Sequence, residues 1–167
     1  EKIEYLNSQW FASIEKANTA AYNSGKSLYI TKNYTLTANT TLTANTYILK
    51  GGGFTKASTY TLNINGPFHA GLDTVFTGFN AGDVVFALDV IKEAFPQWWG
   101  AKGDDTVDCT VAINSAFAAV VRGQVVFVKG NYKTTETILV PKMITMKGVG
   151  NVAGIDPAVT SGSTIHG

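Results

Sequence analysis

The sequence predicts a mainly β protein whose short parallel strands wind into a solenoid, with two amphipathic helices capping the coils. Three observations lead there. The first is an internal repeat: Lys32, Asn33, Tyr34, Leu42, Lys50, Gly51, Gly53 and Gly66 fall onto Lys129, Asn131, Tyr132, Leu139, Lys147, Gly148, Gly150 and Gly167 with small gaps. Repetition of strand-like pieces means an additive architecture in which each unit packs on the last. The second is a near-constant step between apolar strand centres. Ile30, Ile48, Ile64 and Val85 are 18, 16 and 21 residues apart, and Phe127, Met146 and Ile165 are 19 and 19 apart. The third is the scarcity of hairpin signals. Asn65-Gly66 is the lone Asn-Gly, and Pro67 follows it, whereas an antiparallel sandwich shows such turns every 8–12 residues or so.

Each element has a local reason. Residues 7–24 read as a helix, with Trp10, Ile14, Ala17 and Ala21 at helical spacing, Asn7 or Ser8 as cap and Asn23-Ser24-Gly25 as stop. Strands are expected at 28–31, 34–37, 40–43, 47–50, 59–65 and 83–88. Thr and aromatic residues there suit half-buried pleated positions, and Ala38-Asn39, Ala44-Asn45 and the glycines at 51–53 supply turns. Residues 108–121 read as the second helix, because Ile113, Ala116, Phe117, Val120 and Val121 form one apolar stripe. An oily helix laid over the end of a stack covers the apolar cross-section that the last coil exposes. The expected organisation is therefore 1–89, a cap helix plus coils; 90–103, a connector; and 104–167, a second cap helix plus the first coils of a main solenoid. A start at Glu1 and an end just after a strand-like segment suggest a piece of something longer.

Composition excludes several function classes. A 45% hydrophobic, 15% charged chain of 167 residues is ordinary for a folded domain. Net charge is +1, and only one of the thirteen basic residues, Arg122, is an arginine. That argues against nucleic-acid binding, which needs a basic stripe, and against bidentate phosphate clamps. No apolar run reaches the length of a membrane span. Cys109, the single cysteine, forms neither an intramolecular disulfide nor a metal cluster. The glycines at 51–53, 148 and 150 are corners, since no Gly-Lys-Ser/Thr follows them.

The run Trp99-Gly100-Ala101-Lys102-Gly103-Asp104-Asp105, then Asp108, Thr110, Ala112-Ile113, then residues 125–132, resembles the opening of the pectate-lyase-like right-handed parallel β-helix superfamily. Asp105 stands where that pattern has glycine, Cys109 where it has a second aspartate, and Lys129 where it has proline. The resemblance spans residues 98–167 and implies a right-handed solenoid. It further implies polysaccharide as partner, a phage tailspike or secreted polysaccharide-active parent, an extracellular or virion-tail location, an anchor or virion protein upstream, and a homotrimer. The leading expectation is a non-catalytic N-terminal portion that starts and caps the solenoid. The alternatives are a lyase or glycosidase fragment contributing to a lateral groove, and a non-enzymatic adhesin.

Candidate site residues follow. Trp98 and Trp99 are a candidate sugar-stacking platform, weighed against simple packing beneath the connector. Asp104, Asp105 and Asp108 form the one acidic cluster. A Ca²⁺ site is one reading; capping of the following helix by Asp104, Asp108 or Thr106 is the other. Ile113, Phe117 and Val120 are the buried side of that helix. No metal site and no catalytic set is assigned. Asp83, Asp89, Glu93, Glu136 and Asp156 lie on separate segments, whereas glycoside hydrolysis needs two facing carboxylates. His69 and His166 stand alone, and Arg122 ends the second helix.

Overall fold

The computed structural model describes residues 4–148. Gly150, Asp156, Ile165, His166 and Gly167, on which part of the predicted second repeat rests, lie outside the described residues. The protein is mainly β, and every strand pairing described is parallel.

The first sheet runs in the order β1 (Tyr5–Asn7), β2 (Ser27–Ile30), β5 (Thr46–Ile48), β8 (Phe68–Ala70). The second is β3 (Asn33–Leu36), β6 (Gly53–Lys56), β9 (Phe76–Thr77), and the third is β4 (Thr40–Leu42), β7 (Leu62–Ile64), β10 (Val84–Phe86). Consecutive strands thus visit the three sheets in turn, and the tour is made three times. Such short strands gain little alone; each is ordered by its in-register neighbour above and below.

Alternation along each strand puts one face inward. Leu28, Thr46 and Phe68 share one inward column, and Ile30, Ile48 and Ala70 another. Leu42, Ile64 and Phe86 line the third sheet's inner face. This corrects the expected apolar column. Ile30 and Ile48 do stack, but Ile64 belongs to a different sheet, and Val85 pairs with Asn63 on the partly exposed side. In the second half, Met146 pairs with Val125, and Phe127 pairs with Gly148. The step varies because the turns differ in length: 18 residues carry Tyr29 to Tyr47, and 22 carry Tyr47 to His69.

Thr40 and Thr46, on the inner faces of the first three sheets, have their hydroxyls satisfied. Thr46 Oγ1 donates to the Ala44 carbonyl at 3.0 Å, and Thr40 Oγ1 lies 3.1 Å from Glu15 Oε1. Where the inner faces meet, Phe54, Phe68, Phe76, Phe86, Trp98 and Trp99 form an aromatic cluster with centroid separations of 4.8 Å for Phe76–Trp99 and 5.3 Å for Phe68–Phe86. Such rings dominate the buried apolar area.

The first helix, α1 (Ile14–Ser24), is shorter than predicted. Residues 5–7 form β1, and Ser8–Trp10 form a 3-10 turn whose first N–H groups are met by Asn7 Oδ1, which accepts from Gln9 at 2.9 Å. Ser13, not Asn7 or Ser8, caps α1, and Gly25 at φ 64° ends it. α1 packs on β1, β2 and β4.

The second part contains β11 (Glu93–Ala94), a 3-10 turn at Pro96–Trp99, β12 (Asp104–Asp108), α2 (Thr110–Ala119), β13 (Gly123–Phe127), β14 (Asn131–Lys133) and β15 (Ile144–Gly148). β11, β13 and β15 form one sheet and β12 with β14 another. α2 is also shorter than the 108–121 expected: Asp108 ends a strand, Val120 is already extended, and Val121 is 51% exposed. It packs on β10 and on the Pro96–Trp99 turn. Since β4 and β10 are the two edges of the third sheet among the described residues, α1 and α2 each pack against an edge strand of that sheet.

Candidate functional site

Trp98 and Trp99 are not a surface platform. They are 3% and 8% exposed. The Trp98 indole N–H donates to the Gly71 carbonyl at 2.6 Å, and its ring meets Phe68 edge-on at 5.6 Å. Their faces are consumed by the core, so the packing alternative describes them.

The acidic cluster is local wiring. Asp104 Oδ1 accepts the N–H and hydroxyl of Thr106 at 3.0 and 2.8 Å. Asp108 Oδ1 accepts the N–H and hydroxyl of Thr110 at 2.9 and 2.6 Å, while its Oδ2 accepts the Thr135 hydroxyl at 2.6 Å. The Thr110 hydroxyl in turn accepts from the Thr135 N–H at 3.0 Å. Asp108 therefore ties the start of α2 to the segment after β14, although the cap position itself is Cys109. The Thr110 hydroxyl foremost, then that of Thr135, hold the Asp108 carboxyl down at about 2. Asp105 occupies the left-handed region at φ 60°. Among the described residues, no group of three or more His, Cys, Asp or Glu is placed to hold a metal ion.

Ile113, Phe117 and Val120 are 1%, 0% and 5% exposed, and Phe117 lies 6.4 Å from Phe127. Three of the separate carboxylates are held by separate partners. Asp83 pairs with Lys56, Asp89 with Arg122 at 2.8 Å, and Glu93 with Gln124 at 2.9 Å and Lys147 at 3.6 Å. Asp89 and Arg122 also line an open depression of about 270 Å³ with Ile91, Lys92, Gly123, Gln124 and Thr145.

One arrangement escaped the sequence reading. A row of rings runs up the outer face of the first sheet, across its strands: Trp10, Tyr5, Tyr29, Tyr47, His69. Successive centroids are 6.0, 4.5, 5.3 and 4.3 Å apart. Tyr29, Tyr47 and His69 are in strict register. Trp10 is 56% and Tyr5 39% exposed. Beside Trp10, Gln9 Nε2 donates to Thr31 Oγ1 at 2.6 Å, and the Thr31 hydroxyl lies 3.1 Å from Asn7 Oδ1. The spacing of these rings carries no motif. It becomes a row only when the 18- and 22-residue turns are known.

No protein-family model matches the chain, and neither a curated protein nor a solved structure matches it.

Proposed function

We propose that this chain is the N-terminal, non-catalytic portion of a right-handed parallel β-helix protein that contacts polysaccharide. It would start the solenoid, cover its edges and join it to an upstream anchor. The observation that carries the reading is the threefold tour of consecutive strands through three parallel sheets, with α1 and α2 set against the edges of one of them. Parallel crossover connections are right-handed in nearly all known cases, which supplies the hand. The resemblance of residues 98–167 to the opening of pectate-lyase-like β-helices supports the polysaccharide class, and a tailspike or secreted parent with a trimeric assembly comes with it. Fold alone does not dictate chemistry.

A second reading, a lyase fragment, is favoured by one feature: Lys92 lines the depression beside the Asp89–Arg122 ion pair, and β-elimination needs a base, a role that Arg122, held protonated by Asp89, does not fill. Incubation with acidic and neutral polysaccharides separates the two. The scaffold reading expects retardation in affinity electrophoresis with no new reducing ends and no unsaturated product. Steady product formation abolished by Lys92→Ala would replace it with the enzymatic one.

A further inference from the structure

The ring row on the first sheet is where this surface departs from the others. The outward positions of the second sheet are Thr35, Thr55 and Thr77, and those of the third are Thr41, Asn63 and Val85: small side chains, mostly polar. The first sheet instead carries Tyr29, Tyr47 and His69 in register, extended by Tyr5 and Trp10. Large partly exposed rings cost solvation, and a contiguous run of them marks a contact surface. We infer that this row is the glycan-contacting face, and that it takes an uncharged oligosaccharide laid along the stack, perpendicular to the strands. The inference rests on the polysaccharide reading above and gives it a location and a ligand class.

Three features select that ligand. Tyr5 stacks on Tyr29 and Tyr47 on His69, while Tyr29 and Tyr47 are tilted by 57°. The interior rings therefore offer mainly edges and polar tips, and Trp10 at the end of the row has its indole 56% exposed. A pyranose has the complementary character, with apolar C–H faces and a rim of hydroxyls, and aromatic rings with a polar handle suit both. The second feature is charge. The five rings and the neighbouring Asn7, Gln9 and Thr31 include no lysine, arginine or carboxylate, so the row carries no fixed charge to pair with a uronate or sulfate. The third is continuity. Tyr29, Tyr47 and His69 place one ring on each successive strand, 5.3 and 4.3 Å apart, and Tyr5 and Trp10 prolong the strip diagonally, so an elongated ligand meets rings along several strands. The platform is also set before binding: the Asn7-capped turn holds Trp10, and the Gln9–Thr31–Asn7 hydrogen bonds brace its base. A rigid site loses less entropy on binding than a mobile one.

Titration of the full chain with cellohexaose, laminarihexaose and hexagalacturonate, followed by calorimetry and by the NMR signal of the Trp10 indole N–H, tests this. The expected result is binding of at least one uncharged hexamer with a shift of that signal, and affinity at least tenfold weaker in Trp10→Ala and in His69→Ala. Both residues are exposed, so thermal midpoints should stay unchanged. Uncharged-hexamer affinity that survives both substitutions overturns the assignment of the face while leaving the polysaccharide reading intact. Binding of hexagalacturonate alone overturns the ligand class. Binding of none of the three overturns the inference, and if a broad polysaccharide array is also silent, the reading it rests on falls too.

Discussion

Asn18 on α1 closes the turn that follows β4, its Oδ1 accepting the N–H of Thr43 at 2.8 Å. The same oxygen accepts from the Ala44 N–H at 3.0 Å, and Nδ2 donates to the Thr41 carbonyl at 3.3 Å and to Thr43 Oγ1 at 3.1 Å. One side chain, 6% exposed, thereby occupies four polar groups. The location explains why. Among the described residues β4 is an edge of its sheet, and α1 supplies hydrogen bonds to the turn after it.

Removing that amide leaves buried backbone groups unpaired, which costs far more than the net worth of a hydrogen bond. Asn18→Ala should destabilise the protein by about 2–4 kcal/mol, the sum of such penalties over more than one group. Urea unfolding monitored by far-UV circular dichroism measures it. A loss below about 0.5 kcal/mol, the usual range for a surface change, means the turn finds its partners elsewhere.

The two helix-then-strand units were legible; the strands at Tyr5–Asn7, Gly53–Lys56, Phe68–Ala70, Phe76–Thr77, Glu93–Ala94 and Asp104–Asp108, and the columns, were not. Both repeats keep the same sequence of parts: α1 is followed by β2 and β3, and α2 by β13 and β14, with Asn33 and Asn131 each opening the second strand. Those signals are local: apolar periodicity in the helices, Thr and aromatic residues in the strands, glycine between them. Register is not local. With strands of two to five residues, an error of one position moves a side chain to the opposite face, which is how Val85 entered the expected core. Ile64 was misplaced for a related reason: a uniform step was expected, whereas three sheets interleave, and an apolar residue near the right number can belong to a neighbouring sheet. The site suffered most. Two adjacent tryptophans, Trp98 and Trp99, read in sequence either as a platform or as packing beneath the connector, and a 3-10 turn with Pro96 at its start folds both inward, in line with the packing alternative. Trp10 was assigned to a helix stripe, yet it lies on a separate turn outside α1.

Stacked turns approach closely at Gly66. A Cβ built there would stand 2.3 Å from the Thr43 carbonyl oxygen and 2.5 Å from that of Ala44. Both are backbone atoms in the turn that Asn18 fixes, so neither yields cheaply. Gly66→Ala should therefore cost about 1–3 kcal/mol, the range for overpacking. Gly71→Ala is the matched control, because a Cβ there meets nothing within 4 Å, and it should stay within about 0.5 kcal/mol of the parent. Equal midpoints for the two variants in thermal melts would show that the turns do not stack this tightly.

Acid should loosen the junction at Asp108. Its carboxyl is held from the ordinary 3.8 down to about 2 by the Thr110 and Thr135 hydroxyls. A folded value below the unfolded one means the stabilisation is fully present above the unfolded value and disappears as pH falls through the folded one. The window thus runs from near 4 down to about 2. The group is exposed, so solvent screening keeps the effect small. Stability measured against pH should fall less steeply across that window in Asp108→Asn than in the parent. Parallel slopes would mean that the hydroxyl contacts do not hold the charged form.

Phe117 decides whether α2 is part of the core or lies over it. The ring is fully buried, 6.4 Å from Phe127 on β13, and the helix also packs on β10 and the Pro96–Trp99 turn. It thus joins the aromatic cluster of the first three sheets to the β11–β13–β15 sheet. Phe117→Ala removes a ring whose surroundings are sheets on one side and a helix on the other, with limited freedom to collapse, so the expected loss is about 3–5 kcal/mol. Val121, one turn further and 51% exposed, supplies the contrast: Val121→Ala should change stability by less than about 0.5 kcal/mol. The two substitutions also differ in cooperativity. If α2 couples the two parts, unfolding of the Phe117 variant monitored by hydrogen exchange should release amides of β13 and β10 together. Loss confined to β13, with β10 still protected, would mean that the helix belongs to the second part alone.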